Sequence, residues 1–132
     1  MQKIIKIVLI DDDEDLCDLL KMKFEAAGRF QVTTSTRNDS ALALIKTEQP
    51  DLAILDINMP EAHGIEVAAT LAQDPQTAAI PILYLSGMVS PEEVHRIGGG
   101  HSLRTLISKQ SPIAELIAAM DSLLPADLQA TA

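Results

Sequence analysis

Residues 3–28 read KIIKIVLIDDDEDLCDLLKMKFEAAG, and the fold class follows from how this stretch changes its pattern. Lys3 to Ile10 is rich in Ile and Val and ends in acids, the composition of a strand. Leu16, Leu19, Leu20 and Phe24 then recur at helical spacing until Gly28 supplies a stop. Strand, acidic loop, helix and turn follow one another here. The same alternation continues outward: Phe30 to Ser35 has the β-branched content of a second strand, and Ser40 to Glu48, with Leu42, Leu44 and Ile45, reads as a short helix. Leu52 to Leu55 is an apolar run closed by Asp56. Asn58, Pro60 and Gly64 provide turn chemistry before a helix over Ile65 to Ala72.

Ile80 to Leu85 reads as the fourth strand. Ser90, Pro91, Glu92 and Glu93 open a further short helix that stops by Gly98, with a capping residue, a first-turn proline and acids at the positive end of the dipole. Leu103 to Ile107 is a fifth strand, diluted by Arg104, Thr105 and the neighbouring Ser108. Pro112 to Leu124 is a closing amphipathic helix, and Pro125 is expected to end the ordered chain. Strands alternating with helices imply a doubly wound α/β fold, a parallel sheet covered on both faces. The nearly unbroken apolar runs of strands one, three and four suit its centre. One domain over residues 1–125 and a C-terminal tail over 126–132 account for the chain.

At 132 residues and 14.2 kDa, the chain has room for one ordinary core and no second domain. Apolar types make up 47% and aromatics only 2%, so aliphatic side chains must fill that core. Ten basic against nineteen acidic residues give a net charge of −9, which opposes direct contact with nucleic acid because binding phosphates needs positive charge. The lone Cys17 excludes an internal disulfide and suits a reduced, cytoplasmic compartment. Lys6 interrupts the first apolar run and no cleavage site follows it, against a signal peptide. Ile80 to Leu85, the longest apolar stretch elsewhere, falls far short of the ~20 residues a spanning helix needs.

In an open parallel sheet, ligands sit beyond the carboxyl ends of the strands, where strand order reverses. The residues just past those ends are Asp11 and Asp12, Asp56, Ser86 and Lys109. Three carboxylates repel one another unless a cation joins them, and an all-oxygen acidic pocket suits Mg²⁺. A lysine and a hydroxyl opposite suit a phosphoryl group.

From Lys3 to Leu124 the chain resembles the receiver domains of two-component response regulators. Asp12 and Asp56 stand 44 positions apart, and Asp56 and Ser86 stand 30 apart, as in that family. Asp56, Ile57, Asn58, Met59, Pro60 and Gly64 are similar to its D-x-x-M-P-x-x-x-G loop. The resemblance implies a flavodoxin-like sheet of order 2-1-3-4-5 and phosphoryl acceptance at Asp56. It implies Mg²⁺ bound by Asp12, Asp56 and the main-chain carbonyl of Asn58, with Asp11 acting through water. Ser86 would hydrogen-bond a phosphoryl oxygen, and Lys109 would pair with Asp56 before transfer and with the phosphoryl group afterwards. The implied partners are a sensor histidine kinase or phosphotransfer protein and a downstream protein, in a switch that binds and does not turn over a metabolite.

Four features depart from the family. Gln110 stands where a proline usually follows the lysine, and a cis bond there would cost about 2.5–4 kcal/mol, so trans is expected. Leu106 replaces the family's aromatic residue three positions before the lysine. Gly98, Gly99 and Gly100 replace a compact helix end, and Ser86 to Lys109 spans 23 positions, one more than in chemotaxis-type receivers. Readout is therefore expected through the loop and helix after strand four. Two alternatives belong to other classes. A haloacid-dehalogenase-like phosphatase needs a general acid two positions after its nucleophile, where Asn58 cannot donate a catalytic proton. A pseudo-receiver would keep the fold and carry no phosphate.

Overall fold

The computed structural model describes residues 3–37, 40–57, 64–87 and 106–129. The first acidic loop becomes a helix start because Asp13 Oδ1 accepts the Leu16 N–H at 3.1 Å, one of the donors a helix leaves unpaired in its first turn. Strand β1 (Ile5–Ile10) leads into α1 (Glu14–Ala26), with Glu14 and Asp15 near the positive end of the helix dipole and Lys23 near the other. Gly28 follows at φ +82°, a left-handed conformation that glycine adopts without a Cβ clash.

Then come β2 (Phe30–Ser35), α2 (Ala41–Glu48), β3 (Leu52–Asp56), α3 (Gly64–Gln73), β4 (Ile82–Ser86), β5 (Leu106–Ser108) and α4 (Ile113–Leu123). All five strands are parallel, in the order β2-β1-β3-β4-β5. The three strands with unbroken apolar runs are the central ones, since both of their faces are covered. The order reverses between β1 and β3. Asp11, Asp12 and Asp56 stand at that point.

Alternation along each strand sorts the core into two layers. Ile5, Ile7, Leu9, Leu52, Ile54, Leu83 and Leu85 face one side, under Cys17, Leu20 and Phe24 of α1 and Leu116 and Met120 of α4. Val8, Ile10, Ala53, Leu55, Tyr84 and Leu106 face the other, under Ala41 and Ile45 of α2 and Val67 and Leu71 of α3. Leu106 fills this second layer directly across from Tyr84.

Several boundaries shift. The fourth strand begins at Ile82 and not Ile80, because Asp74 to Ile80 is spent on turns closed by the Ala78 N–H to Asp74 O and the Ile80 N–H to Thr77 O. Of the expected fifth strand, residues 106 and 107 are strand and Ser108 extends it, while 103–105 lie outside the described residues. So does the whole of the helix expected over Ser90 to Gly98, and Asn58 with it. The expectation that order ends at Pro125 is corrected. Pro125 stops α4, but a 3-10 turn follows over Ala126–Leu128, and Leu128 reaches the first core layer. The physical reason is Arg29, whose guanidinium holds Asp121 at 2.7 and 3.2 Å and also donates to the Leu128 carbonyl at 3.0 Å. No described helix is long and apolar enough to cross a membrane.

Candidate functional site

Asp11 and Asp12 follow β1, and Asp56 closes β3 beside it. Parallel pairing in register, with Ile10 opposite Leu55, brings their carboxylates to one rim of the sheet. One oxygen from each of Asp11, Asp12 and Asp56 lies within 4.8 Å of the others. Asp12 is exposed, whereas Asp11 and Asp56 are buried, at 0% and 2% relative exposure.

Buried carboxylates need compensation. Lys109 supplies part of it from the end of β5: its Nζ lies 2.7 Å from Asp11 Oδ2 and 3.1 Å from Asp56 Oδ2. The resemblance implied a partner in Asp56 alone; the ammonium touches both. Only the contact with Asp56 has hydrogen-bond geometry, so the buried Asp11 Oδ2 accepts no hydrogen bond among the described residues. Its other oxygen accepts the Asp13 N–H at 2.9 Å.

Burial pushes the Asp11 carboxyl above the ordinary carboxylate range. Lys109 and the Asp13 N–H oppose that shift, and the negative charge of Asp56 adds to it. Lys109 is held above its usual value by its two carboxylate contacts, against the burial that favours its neutral form. An all-oxygen donor set of three carboxylates against one ammonium fits a hard divalent cation.

Ser86 is buried at the end of β4, level with Ser108 of β5, and its main-chain carbonyl accepts the Lys109 N–H at 2.9 Å. The structure therefore brings Asp11, Asp12, Asp56, Ser86 and Lys109 to one rim; Asn58 lies outside the described residues. No cis peptide occurs among the described residues, in line with the trans bond expected before Gln110. A cleft of about 210 Å³ between α1 and the start of α4 has Lys109 on its wall. A larger one, about 300 Å³ between α2 and α3, lies away from the carboxylates.

Sequence reading missed what holds Lys109. A Cβ on Gly87 would sit 3.3 Å from Lys109 Cδ, so the glycine makes room for the lysine stem. Ser108, read from composition as diluting a strand, is fully buried and accepts the Gln110 N–H at 3.1 Å. A Ser two positions before the end of a polar turn is the available signal, and it is common in any loop. Cys17, also on this rim, donates from Sγ to the Asp11 carbonyl, and burial pushes its thiol up to about 11.

A known family and known proteins resemble this chain. The response regulator receiver domain matches residues 7–121. The phosphate regulon transcriptional regulatory protein PhoB of Rhizobium meliloti is 39% identical over 94 residues, which cover 71% of this chain and 40% of that protein. Among solved structures, the Francisella response regulator 1452 receiver domain shares 28% identity at a TM-score of 0.73, covering 90% of this chain and 95% of that one. The Vibrio cholerae chemotaxis protein CheY4 shares the fold at a TM-score of 0.77 with 24% identity, covering 92% of this chain and all of its own, 100%.

Proposed function

Because the chain belongs to the response regulator receiver domain family, we propose that it is a signalling switch in which Asp56 takes a phosphoryl group from a sensor histidine kinase or phosphotransfer protein. The observation that carries this reading is a buried Asp56 at the end of a central strand, with an ammonium 3.1 Å away and two further carboxylates beside it. An Asp56 carboxylate oxygen attacks phosphorus, and the bond from phosphorus to the donor's imidazole nitrogen breaks. Lys109 then turns its charge from the carboxylate to the phosphoryl oxygens, and Ser86 donates its hydroxyl to one of them.

Asp11, Asp12, Asp56 and the Asn58 carbonyl would hold Mg²⁺. When bound, the ion neutralises charge on the transferring group. Transfer of this kind depends on positioning and electrostatics, and Lys109, held against Asp11 and Asp56, supplies both from the protein.

The phosphorylated form changes its affinity for a downstream protein. A net charge of −9 argues that this domain does not itself bind nucleic acid. The chain spans 40% of the length of PhoB, whose name describes a transcriptional regulator. A cytoplasmic setting fits the single reduced thiol.

Intact mass after incubation with Mg²⁺ and acetyl phosphate tests the reading. The wild-type chain should gain one phosphoryl group and the Asp56→Asn chain none. No gain in the wild type, as a pseudo-receiver would show, or an equal gain in the variant, rejects the assignment.

A further inference from the structure

Lys109 needs to be aimed. Its four-carbon stem has many rotamers, and fixing an ammonium against two buried carboxylates costs side-chain entropy unless the backbone beneath it is already set. Three hydrogen bonds set it. The Lys109 N–H donates to the Ser86 carbonyl at 2.9 Å, the Ser111 N–H donates to the Ser108 carbonyl at 3.0 Å, and the Gln110 N–H donates to Ser108 Oγ at 3.1 Å. Lys109 is thus the second residue of a β-turn whose first residue closes it twice, with main chain and with side chain. Ser108 is itself fully buried, at 0% relative exposure, and has a place in the β4–β5 register opposite Ser86.

We infer that Ser108 is a positioning residue for phosphoryl transfer: its hydroxyl holds the turn that aims Lys109 at Asp11 and Asp56. This role rests on phosphoryl acceptance at Asp56. Ser108 does not touch the reacting atoms and acts through the lysine. Without the oxygen, the Gln110 N–H loses its acceptor and the turn keeps only its main-chain closure. Lys109 then samples orientations that miss the site, and transfer slows in proportion to the time spent in them.

Two readouts test the inference. Amide hydrogen exchange in the full chain reads the turn directly. In Ser108→Ala the Gln110 amide should exchange about fivefold faster, the equivalent of one neutral hydrogen bond of about 1 kcal/mol. The initial rate of phosphorylation by acetyl phosphate and Mg²⁺, followed by intact mass, reads the consequence. It should fall about fivefold in Ser108→Ala, recover in Ser108→Thr, which keeps the acceptor oxygen, and stay unchanged in Ser111→Ala, a nearby hydroxyl outside the turn closure. Thermal melting of each variant separates this loss from unfolding. A wild-type chain that gains no mass overturns the phosphoacceptor reading and this one with it. A phosphorylated wild type with Ser108→Ala equally fast, or with Ser108→Ala and Ser108→Thr equally slow while folded, overturns this inference alone.

Discussion

Asp11 shows how much one side chain's surroundings decide. Its carboxyl is fully buried, one oxygen lacks a hydrogen bond, and burial and the charge of Asp56 together raise its proton affinity. Its charged form is held at a cost that Lys109 only partly offsets. Asp11→Asn keeps the shape and the acceptor for the Asp13 N–H but removes the charge, so the metal-free variant should melt above wild type at pH 7. Mg²⁺ should raise the wild-type melting temperature more than that of the variant, since a ligand of the native state stabilises it by mass action. A variant that melts below wild type without metal contradicts the crowded rim. Burial acts on Cys17 as well. With its thiol pushed up to about 11 from 9.0, the native thiolate population at pH 8 is about 100-fold below that of an ordinary cysteine. Iodoacetamide should alkylate native Cys17 at least that much more slowly than the urea-unfolded chain; equal rates would show an accessible thiol.

Helix α1 does more than cover a face of the sheet. β2 is an edge strand, and alternate residues present their N–H and C=O outward, where another strand could pair. At Val32 both groups are taken by an i,i+4 pair from α1: Glu25 Oε2 accepts its N–H at 3.0 Å and Lys21 Nζ donates to its carbonyl at 2.6 Å, the two side chains meeting at 2.9 Å. The Val32 N–H and the Lys21 ammonium together hold the Glu25 carboxyl below the usual range. A carboxylate with a lowered folded-state pKa contributes stability above its unfolded value, near 4.5, and that contribution is lost as pH falls through the folded value. Glu25→Gln retains an acceptor for Val32 and loses only the charge. Because the pair is more than a third exposed, the difference at pH 7 should be modest, about 0.5–1 kcal/mol, and should vanish in acid. Urea titrations across pH check this, and a difference that persists below the folded pKa would show that the charge is not its source.

Across the whole molecule, Arg29 ties the first strand–helix–strand unit to the end of the chain, 92 residues away at Asp121 and 99 away at Leu128. Its guanidinium also lies over the Phe30 ring, 4.9 Å from the centroid. Arg29→Met keeps an unbranched stem and removes the guanidinium, with its three hydrogen bonds and its contact with the ring. It should cost about 1–3 kcal/mol and lower the melting temperature by about 4–10 °C, with loss of protection in residues 125–129. Unchanged protection there would mean that Leu128 alone holds the segment. The extent of legibility follows from the range of the interactions concerned. Strand and helix identity, the two-faced sheet, the central strands and the place of Asp11, Asp12, Asp56, Ser86 and Lys109 at the strand ends could be read from the sequence, because periodicity and strand-end position are local and the parallel fold maps strand ends onto one rim. The double contact of Lys109, the burial of Asp11, the closure of the lysine's turn by Ser108, the capping of Val32 and the docking of Leu128 were decided only by the tertiary structure. Each depends on which side chain meets which across the sheet, at distances of a few ångströms that no spacing along the chain encodes.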